Sequence, residues 1–191
     1  MKKIKLLAIA IVVSVAAFGQ TQTWKSDKSH SKLGFSITHL LVSDVEGSFR
    51  SFDIKVTSSQ ADFSDAFIDL TSETNSINTD NEQRDKHLKN ADFFDVEKYP
   101  TLAFKSKSFK KVDGKKYKLA GDLTMHGVTK PIVLDVTLNG TAISPMDKKT
   151  IAGFKITGII KRSDFALGTK YPGAMLSDEV TLTSNVELVK E

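Results

Sequence analysis

The chain has 191 residues, enough for one domain with a sizeable core, and no cysteine, which excludes disulfides, thiol chemistry and cysteine-ligated metals. Its formal net charge is +4, from 27 lysines and arginines against 23 acids. Three of those lysines and none of the acids lie in residues 1–19, so the remainder carries only +1, too little to argue for nucleic-acid binding.

At the N-terminus Lys2, Lys3 and Lys5 precede an apolar run from Leu6 to Ala17, followed by Ala17-Phe18-Gly19. A basic start, an apolar stretch shorter than the roughly 20 residues of a membrane span and a small-x-small close mark a secretory signal peptide. Residues 1–19 are expected to be removed near Gly19–Gln20. That leaves a periplasmic or secreted single domain, residues 20–191, with no stable membrane insertion.

Beyond the leader, period-two alternation recurs along the chain. Leu33, Phe35, Ile37 and His39 share one strand face. Phe52, Ile54 and Val56 share another, and Phe49 is out of phase with them, which predicts a bulge near Arg50–Ser51. Asp80 with Gln83 three residues on is a variant of the capping box. It predicts a helix running to about Lys89 and ending at Asn90, with Arg84, His87 and Leu88 on one face. Leu102 and Phe104 then share a face, as do Tyr117, Leu119, Leu123 and Met125. The same holds for Ile132 to Leu138, for Phe154, Ile156 and Ile160, and for Val180, Leu182, Val186 and Leu188.

Asp113-Gly114 predicts a hairpin turn, His126-Gly127 lies between two strand-like runs, and Asn139-Gly140 is expected to end the strand that begins near Pro131. About eight amphipathic strands and one helix argue for an all-β fold, an antiparallel sheet closed into a barrel or paired as a sandwich. No internal repeat and no linker divides the chain.

Several segments carry a likeness in sequence order: Ser29-His30-Ser31, the run GFSITHL from Gly34 to Leu40, VEGSF from Val45 to Phe49 and SINT from Ser76 to Thr79. RDKHL from Arg84 to Leu88, FFDVEKYP from Phe93 to Pro100, GDLTMHGVTKP from Gly121 to Pro131 and RSDF from Arg162 to Phe165 complete it. With these the chain resembles the YceI-like family of secreted lipid-binding proteins, some of which bind polyisoprenoids. The resemblance implies an antiparallel, eight-stranded lipocalin-like barrel with one short helix packed against it and a long apolar tunnel, in a carrier rather than an enzyme. One departure is Ala166, where the family's pattern leads us to expect glycine.

The tunnel wall is expected to include Phe35, Ile37, Phe52, Leu88, Phe93, Phe94, Phe104, Phe154, Ile156 and Phe165, with Phe49 and Phe67 among the remaining inward phenylalanines. Eight strands can enclose a filled core or one ligand, and the residues leave that choice open. At roughly 0.8 kcal/mol per buried CH₂, an isoprene unit is worth up to about 4 kcal/mol. Association costs about 4–15 kcal/mol, so tight binding needs several units and a long chain.

His39 and Arg162 lie on otherwise apolar strand faces, where an unpaired charge is costly. They are expected either to meet a ligand's polar head or to pair at strand ends. Arg84, Asp85 and His87 suit either a charged mouth or a cluster of caps and ion pairs that fixes the helix. The polar-head set is therefore His39, Arg84, His87 and Arg162. His126 reads as a turn-former and His30 as the start of a strand.

No His-x-His or His-Glu-x-x-His spacing and no Gly-x-Ser-x-Gly elbow occurs, so no metal, cofactor or catalytic residue is expected. The expected partner is a long-chain isoprenoid, quinone or fatty amphiphile, with no nucleic acid and with a homodimer allowed. The alternatives are a hydrolase or isomerase acting on a lipid-like substrate through Arg84, Asp85 and His87, and a filled barrel that acts through its surface.

Overall fold

The computed structural model describes residues 20–191; the expected leader, residues 1–19, lies outside the described residues. Eleven strands form one antiparallel sheet: β1 (Gln22–Ser26), β2 (Lys32–His39), β3 (Ser43–Phe49), β4 (Phe52–Ser58), β5 (Phe67–Glu73), β6 (Ile77–Asn78), β7 (Thr101–Asp113), β8 (Lys116–Met125), β9 (Val128–Ile143), β10 (Thr150–Lys161) and β11 (Leu176–Lys190). One short helix, α1 (Glu82–Leu88), stands between β6 and β7.

Eight of the strands close a barrel in the order β1-β4-β5-β7-β8-β9-β10-β11, and pairing of β1 with β11 seals it. Closure leaves those strands no free edge, which an open sheet of this length would expose. The seam is shared along β11. Its C-terminal end pairs with β1, from Leu188 to Lys190, whereas Leu176 to Asn185 pair with β2. The sheet therefore continues past β2 into β3 and the two-residue β6 at one end only.

Alternation explains which side chains point inward. On β4 the residues Phe52, Ile54, Val56 and Ser58 are buried, and between them Asp53 and Lys55 are exposed. On β8 the inward set is Tyr117, Leu119, Gly121, Leu123 and Met125. On β5, Ile68 and Leu70 face the interior, so Phe67 is put outside at 48% exposure, against the expectation that it faces inward.

Two of the expected turns form. Asp113 pairs with Lys116 around Gly114, and Met125 pairs with Val128 around His126 and Gly127, both of which have positive φ. The third does not. β9 continues through Asn139-Gly140 to Ile143, and the register with β10 skips Asn139, because Leu138 pairs with Phe154 and Gly140 with Gly153. Asn-Gly is here a bulge that bends a long strand, since β10 goes on offering ladder partners as far as Ile143. Pro131 is tolerated inside β9 because pairing with β10 stops at Asp135.

At Arg50–Ser51 there is a strand break rather than a bulge. The chain leaves its pairing with β2 and β6 and enters pairing with β1 and β5, while Arg50 N donates to Ser76 O and Ser51 O accepts from Glu73 N. The cap of α1 also differs by one residue. Asn81, not Asp80, accepts from Arg84 N, whereas Asp80 sits at φ 56° and faces Arg50 across 3.5 Å. Ala166 holds φ 55° at the end of the 3-10 turn Arg162–Phe165, the left-handed conformation that glycine takes without strain.

Candidate functional site

Because β3 and β6 extend only one end of the barrel, that end is completed by α1 and by the segments 89–100 and 166–175. Phe94 packs edge-on against Phe49 of β3 at 5.5 Å, Phe93 stacks on Tyr171 at 5.3 Å, and Gly168 N donates to Asp92 O. The opposite end is plugged. In the 59–66 loop Phe63 is almost fully buried at φ 61°, and it packs on Trp24 and edge-on to Phe154 with centroids 5.0 and 5.1 Å away. Asp65 holds this loop by accepting from the hydroxyls of Ser58 and Ser59 and from the Ser59 and Gln60 amides.

Between the plug and α1 lies a cavity of about 470 Å³. Its wall includes Leu176 and Leu188 of the same strand, twelve residues apart, or about 40 Å of extended chain at about 3.3 Å per residue. The interior is therefore a long, largely apolar channel rather than a filled core.

Of the ten side chains expected on the wall, Phe35, Ile37, Leu88, Phe93, Phe94, Phe104, Phe154 and Ile156 line it. Phe52 and Phe165 do not, although both are buried. Phe52 sits where β4 leaves the Arg50–Ser51 corner, and Phe165 belongs to the 3-10 turn after β10, outside the strand phase.

Two aromatic walls depend on glycine. A Cβ at Gly47 would come within 2.3 Å of the Phe35 ring, and one at Gly121 within 2.5 Å of the Phe104 ring. Sequence reasoning missed Phe63, Tyr171 and Met175, which also line the cavity. They sit in connections, where no alternation marks them.

All four expected polar residues, His39, Arg84, His87 and Arg162, line the cavity. Arg84 is pinned by Thr79: Nε donates to Thr79 Oγ1 and Nη2 to Thr79 O, both at 2.7 Å. Asp85 in turn accepts from the Thr79 hydroxyl and amide at 2.6 and 2.8 Å. The carboxylate thus fixes the residue that positions the arginine, and Arg84 Nη1 has no partner among the described residues.

His87 Nε2 lies 3.1 Å from Tyr171 Oη, and its ring meets Phe93 edge-on. Nearby, Lys170 pairs with Asp92, and its hydrogen bond holds that carboxyl below the usual carboxylate range. The His39 side chain has no hydrogen-bond partner among the described residues.

Arg162 differs from the others. It is 6% exposed and donates from Nε to Ser177 O, from Nη1 to Leu167 O and Gly168 O, and from Nη2 to Tyr171 O and Leu176 O. A guanidinium has five N–H groups, so these five carbonyls leave it none for a ligand. It shapes the segment that carries Tyr171 and Met175. His126 is a turn residue whose Nδ1 lies 3.0 Å from Phe165 O, and His30 pairs with Asp27 at 2.8 Å beside the start of β2.

A closed eight-stranded antiparallel barrel around an apolar channel, bordered at its mouth by one helix, places the molecule among the β-barrels with an internal cavity. The chain belongs to the YceI-like family: the model of the YceI-like domain matches residues 24–188. A UPF0312 protein of Staphylococcus aureus strain N315 is 38% identical over 165 residues, covering 84% of this chain and 94% of that protein.

Among solved structures, a Campylobacter jejuni YceI protein is 37% identical with a TM-score of 0.71, covering 86% of this chain and 96% of its own. Two more distant structures share the fold. Burkholderia cenocepacia BcnA has a TM-score of 0.77 at 23% identity and covers 85% of this chain and 98% of its own. A polyisoprenoid binding domain from Saccharophagus degradans has a TM-score of 0.62 at 15% identity and covers 88% and 98%. No helix among the described residues is long and apolar enough to cross a membrane, which says nothing of strands.

Proposed function

We propose that the protein is a secreted or periplasmic carrier that holds a long-chain isoprenoid or similar amphiphile in the barrel, with its tail toward Phe63 and its head near Arg84, His87 and His39. The channel itself carries this reading. It is long and largely apolar, and the basic side chains on its wall, His39, Arg84, His87 and Arg162, gather at the end where α1 lies. A polyisoprenoid is the ligand class that the family resemblance names, and a chain of several isoprene units meets the requirement for extensive apolar burial.

The reading involves no covalent chemistry. Arg84 and Asp85 both bond Thr79, while His87 faces Tyr171, so the three side chains of the hydrolase alternative do not converge on one point.

The test is native mass spectrometry with organic extraction of protein from its source cells, together with uptake of a fluorescent polyprenyl analogue. Leu182→Trp is the decisive variant, because Leu182 is only partly buried and lines the channel, so the larger ring fills open space instead of a packed core. Uptake is expected to fall by at least about tenfold, as about 1.4 kcal/mol of lost tail burial suffices for that, with no loss of melting temperature. Normal uptake by Leu182→Trp, or protein that stays free of lipid in both assays, would remove the carrier reading.

A further inference from the structure

The β2–β3 hairpin turns through Leu40 at φ 51° and Leu41 at φ 59°, with Val42 N donating to His39 O at 3.0 Å. This is a type I′ turn, which Asn-Gly occupies without strain and two leucines occupy at a backbone cost. Packing does not repay that cost, since Leu40, Leu41 and Val42 are 51%, 72% and 85% exposed. Three consecutive apolar side chains thus project from a strained tip into solvent.

The tip adjoins the channel's mouth. Leu40 N donates to Met175 O at 3.0 Å, and Met175 both lines the channel and is 45% exposed. His39 and Val45, on the two strands of the same hairpin, also line it. The backbone bond thus sets the apolar tip beside a side chain that is both exposed and part of the channel wall. Among the described residues no carboxylate lines the channel, and the basic side chains His39, Arg84 and His87 lie at this end of it, whereas Arg162 is spent on five carbonyls.

We infer that Leu40, Leu41 and Val42 enter the boundary between headgroups and acyl chains of an anionic lipid bilayer. Docked in this way, the mouth meets the membrane and the amphiphile passes into the barrel without crossing water. Only the transfer step rests on the carrier reading; docking does not. A convex three-residue tip is too small for a stable interface with a second copy, which buries about 800 Å² per partner. A bilayer has no shape to match, and it rewards apolar side chains flanked by basic groups facing lipid phosphates.

The test is the double variant Leu40→Asn, Leu41→Gly, which restores the residues that the turn prefers. Flotation with phosphatidylethanolamine–phosphatidylglycerol vesicles, with pure phosphatidylcholine as the neutral control, measures docking. The variant is expected to melt no lower than the parent, while its partitioning onto anionic vesicles falls roughly tenfold or more. Transfer of a fluorescent polyprenyl phosphate from vesicles slows in parallel, and uptake of the same ligand from cyclodextrin, where no bilayer is present, is unchanged.

Unaltered vesicle partitioning would overturn the inference. A parent dimer that the substitutions convert to monomer, without any vesicle binding, would also overturn it, because the tip would then be a self-interface. A parent that floats with anionic vesicles yet takes up no ligand from either source would uphold docking and remove the carrier reading alone.

Discussion

Arg84 and Arg162 both line the channel, and their hydrogen bonds give them different roles. Among the described residues the Arg84 side chain reaches only Thr79 and leaves Nη1 without a partner, so Arg84→Ala is expected to weaken a polyprenyl phosphate by about 1.5–3 kcal/mol. A head-less hydrocarbon of equal length should bind as before; equal losses for both ligands in paired titrations would show that Arg84 only holds the helix. Arg162 reaches five carbonyls from within the core. An ammonium has three donors in another geometry, so Arg162→Lys is expected to lose about 3 kcal/mol or more in urea unfolding. Periodicity put His39 on the apolar face of its strand and Arg84 and His87 on one helical face with Leu88, and only the tertiary structure turned those faces to the channel. Nor could periodicity show that Arg162 is saturated, because its acceptors lie in the 167–177 segment, whose path no spacing rule describes.

At the scale of elements, the loop between β4 and β5 decides the length of the channel, and it is held by carboxylates. Hydrogen bonds from Lys111 and then Ser64 bring the Asp62 carboxyl down to about 2, and the Ser58 and Ser59 hydroxyls hold Asp65 far below the usual range. A carboxyl depressed in the folded state contributes stability above its unfolded value of 3.8 and loses it as the pH falls through its folded value. The plug is therefore expected to loosen between about pH 4 and pH 2. Trp24 is the one tryptophan of the chain and packs on Phe63, so its fluorescence reports the event. Asp65→Asn should lower stability at neutral pH by about 1 kcal/mol, modest because the side chain is exposed, and should blunt the acid response. Identical acid profiles for parent and variant would exclude Asp65 as the latch.

At the scale of the whole molecule, the barrel contains open space along its axis, so it folds with an apolar surface left uncovered. A ligand that binds only this closed form must stabilise it: at a free concentration one hundred times its dissociation constant the gain is about 2.7 kcal/mol. Thermal melts with and without a polyprenyl ligand should separate accordingly. Coincident melts under conditions of proven uptake would mean that the ligand sits outside the closed barrel.

Alternation along the chain determined by itself which face of β2, β4, β7, β8, β9, β10 and β11 points inward, because strand side chains have a period of two and one face is apolar. It likewise announced the turns at Asp113-Gly114 and His126-Gly127. Only the tertiary structure decided that Asn139-Gly140 is a bulge, that β11 divides its partners between β1 and β2, and that Phe63 closes one end while α1 borders the other. The reason is that local sequence encodes the face a side chain takes but not the neighbour its strand will find. Whether inward side chains meet across a barrel or leave a channel depends on strand number and stagger, which pairing between distant parts of the chain sets.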